Sequence, residues 1–310
     1  SDVFGPDDHV SRDALRFYAR EGRESRFVRA LRTKGSMDEW LMRGRTAWRA
    51  SPQAAICLAS GAVPPLLKPL RLRTFGVHLH GETGGGKSAL AKLVASMYGD
   101  PSETTASLQA TITAVEIMAT MMCDHPLVLD EMQLQAYPEF RRQLLYMLTQ
   151  GIGKPRATRD VKLRELARWN TVIITTGEQD IVTDDDRGGE DARRIELYGR
   201  PFPDNQVAND VHEAVRDHHG LAKGPLLREI LARDPESLRA WHKRISDRIR
   251  SEAPGLHGAV VQSVAATVMG GVLLAGPVMG LEEVEWSRSG GEQRAEDQVF
   301  DLFRCAWSDR

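Results

Sequence analysis

Cysteine, aromatic residues and a charge of one sign are all scarce in this chain of 310 residues. Its three cysteines lie far apart, aromatic residues make up 6%, and 41 basic residues against 43 acidic ones leave a net charge of −2. An odd, scattered set of cysteines fits neither a disulfide framework nor a zinc site and is typical of a reducing compartment. The near-neutral balance excludes a histone-like polycation, so any nucleic-acid site must arise from local clustering.

The sequence also shows little sign of a signal peptide or of membrane-spanning segments. The opening residues SDVFGPDD contain no initiator methionine and no apolar signal region, so we expect a fragment or processed chain and a cytoplasmic protein. A single run, 258–280, lacks charge and is long enough to cross a bilayer. Gln262, Ser263 and Pro277 weaken a lipid-facing helix, and no second apolar span supports one. We therefore favour a buried helix and no membrane partner.

The order of patterns along the chain predicts an α/β fold. Residues 12–49 carry eleven basic residues against five acidic ones. Within them Arg16, Arg20, Arg23 and Arg26 recur every three or four residues, which indicates an amphipathic helix whose basic face is either solvated or bound to nucleic acid. Gly35-Ser36 breaks this element. We expect a second helix from Met37 to about Ala62. Short β-rich runs at 76–80, 127–129, 171–175 and 194–197 then alternate with helical patterns, which favours a parallel sheet covered on both faces. The predicted domains are a basic helical segment (1–62), an α/β core (63–203) and a helical lid or C-terminal domain (204–310).

A glycine-rich run with the P-loop pattern, GETGGGKS, lies between the first predicted strand and a helix. Glycines let backbone N–H groups surround phosphate oxygens, and the following helix directs its positive end at the same anion. Lys87 is expected to reach the β- and γ-phosphates, and the Ser88 hydroxyl to bind Mg²⁺. The predicted nucleotide-binding residues are Gly81, Thr83, Gly84, Gly85, Gly86, Lys87 and Ser88.

Two carboxylates end the predicted strand at 127–129. Asp130 is expected to hold Mg²⁺ and Glu131 to polarise the attacking water. An Asp-Glu pair alone is a weak signal, but a P-loop upstream strengthens it and indicates nucleotide hydrolysis. The strand at 171–175 runs into Thr176, our first choice for orienting the lytic water. Thr175 is the second choice, and a threonine that merely ends a strand is the alternative.

A basic segment separates these two strands. Residues 151–169 hold six basic side chains against two acidic ones, and their glycines and proline favour a β-hairpin. We interpret the hairpin as a phosphate contact for nucleic acid, with a solvated surface or a subunit contact as alternatives. Its predicted DNA-binding residues are Lys154, Arg156, Arg159 and Lys162. Arg193 or Arg194 is a candidate for a neighbouring subunit's phosphate, with an intramolecular salt bridge as the alternative.

Residues 37–310 together resemble an AAA+ ATPase domain found in replication proteins of prophages and genomic islands, which is similar to MCM-like and superfamily-3-like helicases. The ordered motifs that carry the resemblance are MDEW (37–40), FGVHLHGETGGGKSALAKLVASMYGDP (75–101), LQATITAVE (108–116), LVLDEM (127–132), YMLTQGIGKPRATRD (146–160), RWNTVIITTGE (168–178) and HHGLAKGPLLREIL (218–231). Within this set the G-I-G-K-x-R run and the T-T-G-E strand end are the family-specific parts.

The resemblance implies a ring, expected to be a hexamer, with ATP bound between subunits. Lys87, Ser88, Asp130 and Glu131 correspond to the Walker residues, Thr176 to the sensor strand and Arg194 to an arginine near the last strand. Lys154 and Arg156 fall on the hairpin that lines the pore in similar helicases. The expected function is therefore an ATP-driven DNA translocase or helicase with ATP and Mg²⁺ as cofactors. The alternatives are an ATPase switch that remodels protein partners, in regulation or defence, and a non-hydrolysing assembly module.

Overall fold

A computed structural model of the protein describes residues 30–107, 111–130, 138–153, 166–180, 193–281 and 291–308. The predicted basic helix around Arg16–Arg26 lies outside these residues. The described elements, in chain order, are α1 (Met37–Ala50), α2 (Pro52–Gly61), α3 (Pro64–Leu70), β1 (Phe75–His80), α4 (Lys87–Ser96), α5 (Pro101–Thr104), β2 (Thr105–Ser107), α6 (Ile112–Met121), β3 (Leu127–Asp130), α7 (Pro138–Gln150), β4 (Val172–Gly177), β5 (Arg194–Tyr198), α8 (Asn205–Asp217), α9 (Lys223–Leu231), α10 (Pro235–Glu252), α11 (Gly258–Leu273), a π-helical turn (Leu274–Val278) and α12 (Gly291–Ser308).

The five described strands form one parallel sheet in the order β2-β3-β4-β1-β5. Strand β4 comes after β1 and β3 in the chain but lies between them, pairing Phe75 with Val172 on one side and Leu127 with Ile173 on the other. Because all strands are parallel, the carboxyl ends of β1, β3 and β4 meet at one edge. This is the edge at which open α/β sheets bind ligands.

Hydrophobic clusters cover both faces of the sheet, as the sequence predicts. On β4, Val172 and Ile174 belong to the main cluster, and Ile173 belongs to a second cluster with residues of α6 and α7. The alternation follows from the two-residue period of a strand. The main cluster also contains residues of α2, α4 and α11, so helices beyond 204 share a core with the sheet. The domain boundaries at 62/63 and 203/204 stay predictions.

The apolar run at 258–280 forms α11 and the π-helical turn. The helix is long and apolar enough to cross a membrane, but 78% of its most apolar stretch is buried inside the protein. At Gly270 an added Cβ would lie 2.5 Å from the Ala59 carbonyl oxygen, so this glycine permits close packing of α11 on α2. The interpretation as a buried core helix is therefore confirmed. In the same core, burial raises the pKa of the Cys57 thiol to about 12.

Two details of the predicted elements are wrong. The helix expected from Met37 to about Ala62 is divided at Ser51, whose hydroxyl oxygen accepts a hydrogen bond from the Ala54 N–H. Ser51 followed by Pro52 is a helix-start signal, and the proline cannot continue the preceding helix. The sequence analysis also missed β2, which has three residues and pairs with β3 through Thr105 and Val128. The predicted strands at 76–80, 127–129, 171–175 and 194–197 are all present, with ends shifted by one or two residues.

Candidate functional site

The loop between β1 and α4 depends on glycine at defined positions. Gly81, Gly84 and Gly86 have φ of +146°, +80° and +84°, a region that side chains with a Cβ rarely adopt. At Gly86 a Cβ would lie 2.5 Å from Cδ2 of Phe202 and 2.8 Å from Cβ of Ala208. Both the backbone and the surrounding packing therefore require glycine at the last loop position.

Helix α4 begins at this loop, and its N-terminus has no side-chain cap. Helices α2, α8 and α10 are capped by Ser51, Asp204 and Asp234, whereas α1, α3 and α9 also lack a side-chain cap, so it is the position of the α4 N-terminus that matters. The start of α4 borders a cavity of ≈ 390 Å³. Uncapped N–H groups and the positive end of the helix dipole attract an anion. The loop therefore fits a phosphate group by an observation independent of its sequence pattern.

Lys87 spans the loop with its side chain. Its Nζ donates hydrogen bonds to the carbonyl oxygens of Gly81 at 2.8 Å and Glu82 at 2.7 Å. Burial lowers the pKa of Lys87, and the charges of Glu178 and Asp130 act in the opposite direction. The Lys87 ammonium group therefore lies among the backbone groups of the loop. A phosphate oxygen could replace the two carbonyl oxygens as its hydrogen-bond partner.

Asp130 joins the loop helix to β4. Its Oδ1 accepts hydrogen bonds from Ser88 Oγ at 2.9 Å and from Thr176 Oγ1 at 2.5 Å. The sheet register explains the contact, because Leu129 pairs with Thr175 and so places the next residues side by side. The structure thus brings together three parts of the chain that lie far apart in the sequence: the loop residues Lys87 and Ser88, Asp130 of β3 and Thr176 of β4.

The end of β4 is fastened to β1 and to the loop. His78 Nε2 lies 2.9 Å from the Gln179 carbonyl oxygen, and its Nδ1 lies 2.8 Å from Thr175 Oγ1. A carbonyl can only accept, so Nε2 carries the proton and Nδ1 accepts from the Thr175 hydroxyl. The neighbouring residue Glu178 accepts a hydrogen bond from the Thr83 hydroxyl in the loop. Thr175, the second choice for the water-orienting residue, therefore bonds to His78, and Thr176 is the threonine beside Asp130.

Helix α8 forms a wall of the cavity that the sequence analysis missed. Its lining residues Asn205, Ala208, Asn209 and His212 recur at helical spacing on one face. Burial lowers the pKa of His212, the positive charges of Lys92 and Arg216 lower it further, and Glu213 and Asp130 act in the opposite direction. The helical spacing of these polar residues was the signal available in the sequence. No local pattern, however, connects them to a loop that lies more than a hundred residues earlier in the chain.

Glu131 and the hairpin residues Lys154, Arg156, Arg159 and Lys162 lie outside the described residues. An antiparallel bridge between Ile152 and Arg168 closes the described ends of the hairpin segment.

Arg194 lies at the amino end of β5, where it pairs with Gly76 and not with the loop. Its Nε donates to Glu196 Oε1 at 2.9 Å. This is the intramolecular salt bridge that the sequence analysis gave as the alternative to contact with a neighbouring subunit's phosphate.

The donor set beside the loop suits Mg²⁺ more than a fully protein-coordinated metal. Among the described residues no group of three or more His, Cys, Asp or Glu side chains could hold a metal ion. Mg²⁺ is commonly held by one or two protein oxygens together with water and substrate phosphates. The oxygen pair of Ser88 and Asp130 fits that pattern.

These features define the class of protein: an α/β chain whose parallel sheet and glycine loop are compatible with a P-loop NTPase core. Residues 9–168, just over half of the chain, match the family described as a domain of unknown function, DUF927. The chain belongs to this family.

The fold is also similar to the solved structure of the SCCmec type IV Cch active helicase. The TM-score is 0.66 at 19% sequence identity, with 88% of this chain and 52% of that chain covered. The chain thus spans about half the length of that helicase, and the likeness shows a shared fold. None of the curated proteins matches this chain significantly in sequence.

Proposed function

We propose that this chain is the ATP-hydrolysing motor of a DNA translocase or helicase from a mobile-element replication protein. The observation that carries the proposal is the meeting of Lys87, Ser88, Asp130 and Thr176 at the carboxyl edge of the sheet, beside an uncapped helix N-terminus. The fold shared with a protein named as an active helicase favours a motor over a switch that acts only on protein partners.

Each residue has a defined task in the proposed reaction. Backbone N–H groups of the loop from Gly81 to Gly86 bind the phosphates, and Lys87 binds the β- and γ-phosphate oxygens. Ser88 and Asp130 would hold Mg²⁺, which neutralises charge on the phosphates when bound.

Hydrolysis requires one further group beside the phosphates. Glu131 accepts a proton from the attacking water as the bond between the γ-phosphorus and the ADP oxygen breaks. Thr176 holds the Asp130 carboxylate in place and lies beside the lytic water.

The motor works in a ring, which we propose to be a hexamer with ATP between subunits. Lys154, Arg156, Arg159 and Lys162 on the hairpin grip the phosphates of a DNA strand in the pore. Arg194, or its neighbour Arg193, completes the adjacent subunit's site. For Arg194 this requires exchanging its ion pair with Glu196 for a phosphate.

The test is the steady-state ATPase rate with and without single-stranded DNA. We expect stimulation by DNA that disappears at high salt, and loss of that stimulation in Lys154→Ala/Arg156→Ala. Lys243→Ala/Arg304→Ala, which removes two positive charges outside the hairpin and the cavity, is the matched control and retains stimulation. Basal turnover that is indifferent to DNA would instead favour the partner-remodelling switch.

Two further variants check the chemistry itself. Lys87→Ala should abolish tight ATP binding, and Glu131→Gln should bind ATP but hardly hydrolyse it, with a loss in kcat of about a hundredfold or more. Normal turnover in Glu131→Gln would contradict its role as base. Sedimentation with and without ATP tests the ring, because subunits that meet at the nucleotide gain mass when it binds.

A further inference from the structure

A second cavity, of ≈ 260 Å³, lies at the amino edge of the sheet, the opposite end from the glycine loop. It is bordered by the segment 71–75 that leads into β1, by Arg193 before β5 and by the first turns of α11. Because β1 runs from Phe75 to His80 towards the loop, this cavity shares no lining residue with the proposed ATP site.

Three arginines surround this cavity: Arg71, Arg73 and Arg193. In the part of the chain that the structure describes, none of the three forms a salt bridge, whereas Arg194 pairs with Glu196 and Arg248 with Asp297. The first turn of α11 borders the same space through Ala259, whose N–H donates to the capping His257 Nδ1 at 3.2 Å, so the helix contributes only the positive end of its dipole. Three arginines with no salt bridge to a described acidic residue therefore give this cavity a positively charged lining.

Arg71 is held there at a conformational cost. Its φ is +57°, and apart from Asp124 it is the only non-glycine residue with positive φ in the described ranges. A left-handed conformation costs a residue with a Cβ about 1–2 kcal/mol, and glycine is the usual residue at such a helix end. Arg71 ends α3, with its N–H bonded to the Lys68 carbonyl at 3.0 Å. An arginine is thus fixed in place where glycine would be less strained.

The rim of the cavity is joined to the root of the hairpin segment. Asn170 Nδ2 donates to the Leu72 carbonyl at 3.2 Å, and the Thr171 N–H donates to Thr74 Oγ1 at 3.2 Å. Residues 170 and 171 connect the Ile152–Arg168 bridge to β4. The described residues on either side of the basic segment 154–165 therefore lie at the sheet edge that carries the arginine cavity.

We propose that this cavity binds a backbone phosphate of a single-stranded nucleic acid. Guanidinium groups bind phosphate through paired hydrogen bonds, and two or three of them around one cavity suit a phosphodiester oxygen pair. The choice of nucleic acid as the ligand rests on the proposed function. The cavity and its positive charge are independent of that proposal.

The test measures binding of fluorescein-labelled oligo(dT) by anisotropy over a series of salt concentrations. Arg71→Gln/Arg73→Gln keeps side-chain length and removes two charges. We expect its Kd to rise about tenfold at low salt, and the slope of log Kd against log salt to fall by about 0.7, the value for one lost phosphate contact with a single strand. Basal ATPase without DNA stays at the wild-type level and reports that the variant folds. Arg73→Gln alone, outside the strained turn, should change Kd in the same direction.

Lys243→Gln/Arg304→Gln removes the same charge from residues that do not line the cavity, and should leave Kd and slope near wild type. If the cavity variant matches this control while wild type binds DNA, the inference is overturned and the motor proposal stands. If wild type itself binds no nucleic acid, the motor proposal fails and this inference fails with it. Oligo(U) must show a comparable loss, because phosphate is common to both polymers; a loss confined to one polymer would overturn the assignment to phosphate.

Discussion

Asp130 accepts hydrogen bonds from two hydroxyl groups through one carboxylate oxygen. One donor, Ser88, belongs to the first turn of α4, and the other, Thr176, lies near the end of β4. At the scale of single residues, this contact fixes the carboxylate relative to the loop. A hydrogen bond to a charged group contributes about 1.5–3 kcal/mol, enough to determine where Asp130 lies.

Thr176→Ala should therefore lower the catalytic rate, because the Asp130 carboxylate is no longer held in place, more than it lowers the affinity for nucleotide. We expect kcat to fall about 10- to 100-fold, the equivalent of that hydrogen bond, and the Mg²⁺ concentration for half-maximal activity to rise. Thr176→Ser, which keeps the hydroxyl, should restore both values towards wild type. ATPase assays over a Mg²⁺ titration give the measurement. A Thr176→Ala protein with unchanged Mg²⁺ dependence would contradict the positioning role.

Residues that are contiguous in sequence could be predicted for this site, and residues joined only by folding could not. The loop and Asp130 are each recognisable from a local pattern. The Thr83–Glu178 contact and the α8 wall at Asn205, Asn209 and His212 depend on β4 lying between β1 and β3 and on α8 packing over the loop. A single sequence contains no signal of either arrangement.

At the scale of elements, the loop distinguishes two glycines that look alike in sequence. Gly84 and Gly86 have nearly equal φ, but a Cβ at Gly84 would meet nothing within 4 Å, whereas one at Gly86 would overlap Phe202. Positive φ alone costs about 1–2 kcal/mol, and overpacking adds about 1–3 kcal/mol.

We therefore expect Gly86→Ala to lower the free energy of unfolding by about 2–5 kcal/mol, the sum of the two costs, and to weaken ATP binding by displacing the start of α4. Gly84→Ala is the matched control, with only the conformational cost. Urea unfolding and binding of a fluorescent ATP analogue measure both effects. Equal losses in the two variants would show that packing against Phe202 does not restrict the loop.

Among the elements, long apolar patterns were predictable and short or interrupted ones were not. The strands β1, β3, β4 and β5 all have buried cores of branched residues, which the sequence shows directly. Strand β2 spans only Thr105–Ser107, below the length at which alternation can be recognised, and it exists because β3 offers a free edge. The break at Ser51 could have been predicted, since a serine followed by proline begins a helix. The apolar pattern continues across this position, however, and indicates one longer helix.

For the molecule as a whole, the sheet separates two charged sites. The carboxyl edge has the glycine loop and Asp130, and the amino edge has Arg71, Arg73 and the root of the hairpin segment. Strand β4 joins the two edges covalently, because Thr176 and Glu178 lie at one end of it and Asn170 and Thr171 precede the other. All six of its residues are buried, so the strand passes through the core between the proposed ATP and nucleic-acid sites.

The stability of the whole molecule should depend on pH through its histidines. Burial lowers the pKa of His125, His212 and His242. In the unfolded chain these groups return to a pKa of about 6.5 and bind protons more readily than in the folded protein. Protons therefore bind preferentially to the unfolded state, so the free energy of unfolding decreases as pH falls from about 7.5 to about 5.5.

His242→Gln tests this at one position. His242 Nε2 donates to the Gln262 carbonyl at 3.0 Å, a bond that a glutamine amide can replace, and Arg250 lowers its pKa in addition to burial. We expect the urea midpoint of His242→Gln to fall less between pH 7.5 and pH 5.5 than that of wild type, because one group that resists protonation in the folded state is gone. A His242→Gln protein that loses as much stability on acidification as wild type would show that His242 keeps its ordinary proton affinity in the fold.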